Sequence, residues 1–327
     1  MPAARNPSAA TSLITSKRPS IPALGHANPD GPRVSIVNAT LLMTALLALL
    51  LCVVHFGGGR ASAFPGGGVP GALTIGGLQR TYLVHAPAGL DHPAGLVINL
   101  HGAGATGSAQ AALTNFNAVA DQHGFVVAYP DGIDFSWADG RGASIPDRQG
   151  VDDVGFLVAL ADRLSHDYGI DPGRVFATGM SAGAFMATRL ACERADIVSA
   201  IAPIAGSLGT AFPCAPSRPV SVLEVHGTTD PVVPFGGGSM LGRGGVSDIV
   251  APPAMAQRWR DLNRCPGPVE EVLAGVHSFT SAGCADGTEV VFVQIDGGGH
   301  TWPAGGLTAQ AFDASQASGQ FFAAHGR

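Results

Sequence analysis

Short apolar runs alternate with longer segments of helical periodicity along this chain, and that alternation restricts the fold more than any other feature. Tyr82 to His85, Leu96 to Leu100 and Phe125 to Tyr129 read as strands, with one helix predicted over Ala109 to His123. Asp152 or Asp153 caps a helix through Tyr168, in which Phe156, Leu157, Leu160, Ala161 and Leu164 recur at helical spacing. Strand Arg174 to Thr178, helix Ala182 to Arg194 and strands Ser199 to Ile204 and Val220 to Val225 follow. A helix near Pro253 to Leu262, strand Glu289 to Ile295 and a closing helix near Ala309 to Ala324 complete the pattern. Strands connected through helices run parallel, and apolar parallel strands need cover on both faces. The expected fold class is therefore α/β, a mostly parallel central sheet with helices on both faces in a single domain. The Gly-rich stretches Gly66 to Gly71 and Phe235 to Val246 read as a linker and a surface loop.

Between the strand at Thr178 and the helix at Ala182 stands Gly179-Met180-Ser181-Ala182-Gly183. In a strand-turn-helix setting this Gly-x-Ser-x-Gly pattern makes a tight elbow that exposes the serine hydroxyl, and the glycines avoid collision with neighbouring backbone. A serine nucleophile needs a base and an orienting acid, which in such a sheet follow it on later strand-end loops. After strand Val220 to Val225 comes His226-Gly227-Thr228-Thr229-Asp230, and after Glu289 to Ile295 comes Asp296-Gly297-Gly298-Gly299-His300. Asp230 is the candidate acid and His300 the candidate base; His226 is the rival base, but it precedes the acid. Asn99-Leu100-His101-Gly102-Ala103-Gly104 leaves an apolar strand where an oxyanion-hole amide belongs, so Ala103 and Ala182 are the expected N–H donors. Gly102 to Gly107 also spells the dinucleotide fingerprint, but no ribose-binding acid stands at the usual distance. Trp137 and Trp302 are candidates for the wall of a substrate pocket, with packing beneath the loops as the alternative. Asp152 and Asp153 read as a helix cap and a dipole partner.

The 46% apolar and 13% charged composition of the 327 residues suits a large buried core. A formal charge of −6, with no basic run longer than Lys17-Arg18, excludes a nucleic-acid binder. Residues 1–63 read as a basic leader and signal peptide: Leu41 to Leu51 is a dense apolar stretch, and Ala61-Ser62-Ala63 offers a cleavage pattern. Its removal leaves 64–327 as an exported catalytic domain; uncleaved, this segment is the one expected membrane contact, an anchor holding the domain outside. Cys192, Cys214, Cys265 and Cys284 then form an even set in a disulfide-permitting compartment. Of three possible pairings, Cys192 with Cys214 and Cys265 with Cys284 close short loops without crossing. No Cys-x-x-Cys or Cys-His spacing points to a metal.

Val151 to Leu157, Ile170 to Val175, Gly179 to Gly183, Leu190 to Glu193, His226 to Pro234 and Gly299 to Pro303 together resemble the secreted polyhydroxybutyrate depolymerase and feruloyl esterase-like family, relatives of carbohydrate esterase family one. The likeness runs from about Leu73 to Arg327. It implies an α/β-hydrolase fold and a serine esterase with Ser181, Asp230 and His300 as its triad, acting without a cofactor on small-molecule or oligomeric esters. Ala304 stands where the family often has Gly, and Ala182-Gly183-Ala184 replaces a frequent Asn-Gly-Ala. Many depolymerases of solid polyester carry a further binding module, which this sequence lacks, so soluble esters are the expected substrates. A peptidase on the same fold and an idle binding module are the rival readings.

Overall fold

The computed structural model describes residues 68–305 and 312–327. The expected leader and signal peptide, and the first residues of the closing helix, lie outside them. Twelve described strands appear: β1 (Val69–Ile75), β2 (Leu78–His85), β3 (Gly95–Leu100), β4 (Phe125–Pro130), β5 (Val175–Met180), β6 (Val198–Ile204), β7 (Ser221–Gly227), β8 (Gly238–Gly242), β9 (Gly245–Ile249), β10 (Val269–Leu273), β11 (Val276–Ser281) and β12 (Val290–Ile295). Ten form one sheet in the order β1-β2-β4-β3-β5-β6-β7-β12-β11-β10, with β8 and β9 as a separate hairpin. From β4 to β12 every neighbouring pair is parallel, whereas the pairs at both flanks are antiparallel.

Alternation along the central strands divides the core into two layers. Leu96, Ile98 and Leu100 of β3 face one way, with Phe156, Leu157 and Leu160 of the helix Asp153–Tyr168, Met186 of Ala182–Glu193, and Trp259 of Pro252–Leu262. Val97, Phe125 and Val127 face the other, with Phe116 and Val119 of the helix Phe116–His123 and Phe322 of Ala314–Ala324. This is the α/β architecture with both faces covered that the alternation demands.

Three local expectations are corrected. The single helix over 109–123 is two, Gly107–Thr114 and Phe116–His123, because Asn115 turns left-handed at φ 45° between them. Gly71 belongs to β1 and pairs with Tyr82, whose ring occupies the space a Cβ there would take, so this glycine marks close packing and not a linker. The expected loop from Phe235 contains the β8–β9 hairpin, held by burial of Met240 and Ile249 against Phe185 and Val233. Nothing in the sequence marks the β10–β11 hairpin, since every residue of β10 is exposed and it carries no core periodicity.

Both expected disulfides are present, Cys192–Cys214 and Cys265–Cys284. Asp152 caps its helix by accepting the Gly155 N–H at 2.7 Å. Asp153 does more than balance a dipole: fully buried, it takes Arg80 Nη2 at 2.5 Å and the Ala138 N–H at 2.6 Å, tying β2 to the loop that carries Trp137. Among the described residues no helix is long and apolar enough to cross a membrane.

Candidate active site

Because β3, β5, β7 and β12 are parallel, the loops leaving their C-terminal ends converge on one edge of the sheet. Those loops carry His101 to Gly104, Ser181, Asp230 and His300. Ser181 joins β5 to the helix Ala182–Glu193 with φ 55° and ψ −119°, outside the regions a side-chain-bearing residue ordinarily occupies. The flanking glycines make this possible. A Cβ at Gly183 would stand 2.1 Å from the Leu100 carbonyl oxygen, and one at Gly179 2.6 Å from the same atom. The elbow is therefore pressed against the end of β3, and the Ser181 N–H is anchored to the Ile204 carbonyl of β6 at 3.0 Å.

His300 Nδ1 donates to Asp230 Oδ2 at 2.8 Å across 70 residues of sequence. Asp230 Oδ1 accepts the N–H groups of Val232 and Val233, each at 2.8 Å, and its side chain is completely buried. Burial pushes the Asp230 carboxyl upward, but the His300 ring and the two amides outweigh it and hold the group below its ordinary value. It is thus an anion over the neutral range, and because it engages His300 through Nδ1, Nε2 is the ring nitrogen left without this partner. His226, the rival base, is wholly buried and donates to the Val233 carbonyl at 2.9 Å. It has no access to solvent or substrate.

The loop after β3 lies beside Ser181: a Cβ on Gly102 would be 3.6 Å from Ser181 Cβ. Three bonds fix its shape. His101 donates Nδ1–H to the Gly102 carbonyl at 2.8 Å and accepts the Gly132 N–H at Nε2, while its own carbonyl accepts the indole N–H of Trp137 at 2.8 Å. Burial lowers the His101 basicity, in keeping with a neutral ring that both donates and accepts. The Gly104 and Ala105 amides donate to Phe135 and Gly102 carbonyls. The Ala103 N–H has no such partner among the described residues. Ala182, as the first residue of its helix, has no carbonyl one turn back to receive its N–H.

Trp137 and Trp302 do not present pocket walls. Trp137 is 0% exposed beneath the β3 loop, and Trp302 is buried with its N–H on Ser315 Oγ at 2.9 Å. Each indole N–H finds its partner inside the protein, which is what a buried tryptophan requires. The open space lies elsewhere. A cavity of about 450 Å³ is lined by Leu83, Thr106, Ser108, Ile133, Asp134 and Phe135 next to the β3 loop. Asp134 and Phe135 are both held at positive φ, leaving the Phe135 ring half exposed, and Arg243 from the β8–β9 turn lies over it at 5.6 Å. Neither periodicity nor a motif marks these residues in the sequence. Among the described residues no cluster of His, Cys, Asp or Glu is arranged to hold a metal ion.

A doubly covered, mostly parallel sheet with a serine elbow on its carboxyl edge is an α/β-hydrolase. The acetyl xylan esterase from Aspergillus awamori shares the fold, with a TM-score of 0.55 at 16% identity over 78% of this chain and 99% of that one. The family model described as esterase PHB depolymerase matches residues 80–235. Feruloyl esterase C of Emericella nidulans is 30% identical over 286 residues, covering 84% of this chain and 97% of that protein. Feruloyl esterase B of Piromyces equi is 29% identical over 228 residues, 68% of this chain and 42% of that longer protein. The chain belongs to the esterase PHB depolymerase family and is a hydrolase of ester bonds.

Proposed function

We propose that this chain is an exported serine esterase that cleaves soluble carboxylic esters through Ser181, His300 and Asp230. The bond between His300 Nδ1 and Asp230 Oδ2, formed across 70 residues on the sheet edge that carries the Ser181 elbow, is the observation that favours this reading most. His300 Nε2 takes the Ser181 proton as Oγ attacks the ester carbonyl, and the Ala182 and Ala103 amides receive the charge that develops on the carbonyl oxygen. Protonated His300 then donates to the departing alcohol, leaving an acyl-serine. Water, deprotonated by His300 in turn, releases the acid. Asp230 holds the ring in the Nδ1–H tautomer throughout and stabilises the imidazolium.

The feruloyl and acetylxylan esterase names among the relatives favour esters with short or aromatic acyl groups. The cavity beside Phe135 suits a compact group, since a site of this size derives its binding energy from filling it. Export is supported by the two disulfides, which persist in oxidising compartments. The test is a fluorophosphonate probe on wild type and Ser181→Ala, followed by kcat/KM on acetyl, butyryl, octanoyl, palmitoyl and feruloyl esters and clearing of a polyhydroxybutyrate suspension. Expected are labelling lost with Ser181→Ala and rates that peak at butyryl or feruloyl esters. Equal labelling of both proteins refutes the nucleophile, and a rate climbing through palmitoyl or rapid clearing of polymer refutes the substrate class.

A further inference from the structure

We propose that His226 is a positioning residue for the Asp230–His300 pair, a second imidazole that closes the Asp230 turn with its N–H and stands beside the carboxylate oxygen that His300 uses. The proposal rests on the serine-esterase reading of the site. His226 is the penultimate residue of β7 and stands four residues before Asp230, with neither side chain exposed. Its Nε2 is 2.9 Å from the Val233 carbonyl oxygen and 3.5 Å from Asp230 Oδ2. Both neighbours are acceptors, so Nε2 carries the hydrogen. The bond to Val233 is a full one, whereas the approach to Oδ2 is long and acts through the N–H dipole.

Val233 is consequently gripped twice. Its N–H donates to Asp230 Oδ1, and its carbonyl accepts from His226. With Val232 also donating to Oδ1, that oxygen is occupied, and Oδ2 is left to face two rings, His300 Nδ1 at 2.8 Å and His226 Nε2 at 3.5 Å. The charged and titratable groups acting on His226 are Asp230 and His300. Burial lowers its basicity, so the ring stays neutral and does not compete with His300 as a second cation. A neutral donor in this place has two effects. It fixes the rotation of the carboxylate, and it shares the negative charge of Oδ2, which moderates how strongly Asp230 stabilises protonated His300.

The test uses His226→Gln, His226→Leu and His226→Asn in the full chain, with kcat and KM for a soluble butyryl ester measured across pH and normalised to sites titrated by fluorophosphonate. Gln carries an amide N–H at about the reach of Nε2; Leu fills the space without a donor, and the Asn amide falls short of Val233. Expected for Leu and Asn is a kcat lower by about threefold to tenfold per labelled site, the rate equivalent of one neutral hydrogen bond, with KM little changed. The acid limb of the profile moves to higher pH, and Gln restores both kcat and limb. If Leu does not fold, Asn against Gln carries the same comparison. An unchanged pH profile and rate per labelled site in the donor-less variants overturns the proposal, as does a Gln variant no better than Asn. Wild-type protein that takes no label and cleaves no ester overturns the esterase reading itself, a result visible before any variant is made.

Discussion

Replacing Ser181 by Gly and by Ala separates the chemistry of the elbow from its backbone strain. At φ 55° and ψ −119° the residue lies off the left-handed helical region, and a side chain there costs about 1–3 kcal/mol. Glycine relieves this at no steric expense but loses more conformational freedom on folding, about 0.5–1 kcal/mol. Alanine keeps the Cβ and hence the strain. The Gly variant is therefore expected to exceed the Ala variant in stability by about 1 kcal/mol, which for a domain of this size raises Tm by about 2–4 °C. Both variants are expected to lose a factor of about 10⁴ or more in kcat, because in the proposed mechanism the triad acts as a unit and only the oxyanion donors and binding remain. Differential scanning calorimetry of the two purified variants, with esterase assays that exclude wild-type contamination, makes the comparison. A Gly variant less stable than the Ala variant would show that Ser181 is not strained. Retention of a tenth of the wild-type rate by either would remove it as the nucleophile.

Non-reducing peptide mapping of the expressed protein should recover Cys192 linked to Cys214 and Cys265 linked to Cys284, and reduction should cost about 3 kcal/mol for each bridge; four free thiols would contradict both the pairing and export. Glu224 lies fully buried on β7 with neither carboxylate oxygen hydrogen-bonded. Burial raises its carboxyl well above the ordinary 4.5, only partly offset by Arg260, so the folded protein holds this proton where the unfolded chain has released it. Its contribution to stability is complete below pH 4.5 and falls as pH rises through the window up to the raised value, by at most about 1.4 kcal/mol per pH unit. Glu224→Gln should remove that slope in urea unfolding from about pH 5 to 8, and equal slopes in variant and wild type would show that Glu224 is ionised in the fold.

Local pattern was enough to find the frame of this protein. The period of the apolar residues locates the central strands and their covering helices, because burial on both faces leaves an uninterrupted apolar run at each parallel strand. Gly179 and Gly183 betray the elbow because no residue with a Cβ fits against Leu100, a constraint strong enough to be written in five residues. Short loops also made the cysteine pairing legible. What lies in the loops was decided by contacts remote in sequence. Trp137 and Trp302 are aromatic on any reading, but only packing against His101 and Ser315 shows that they support loops from below and line no pocket. His226 reads as a misplaced base until Val233 folds back over it, and Phe135 gains its exposed position from a left-handed backbone that no periodicity signals. Secondary structure follows from which residues a segment must bury. The orientation of a loop side chain follows from which distant groups satisfy its hydrogen bonds, and those partners are known only once the sheet has brought its strand ends together.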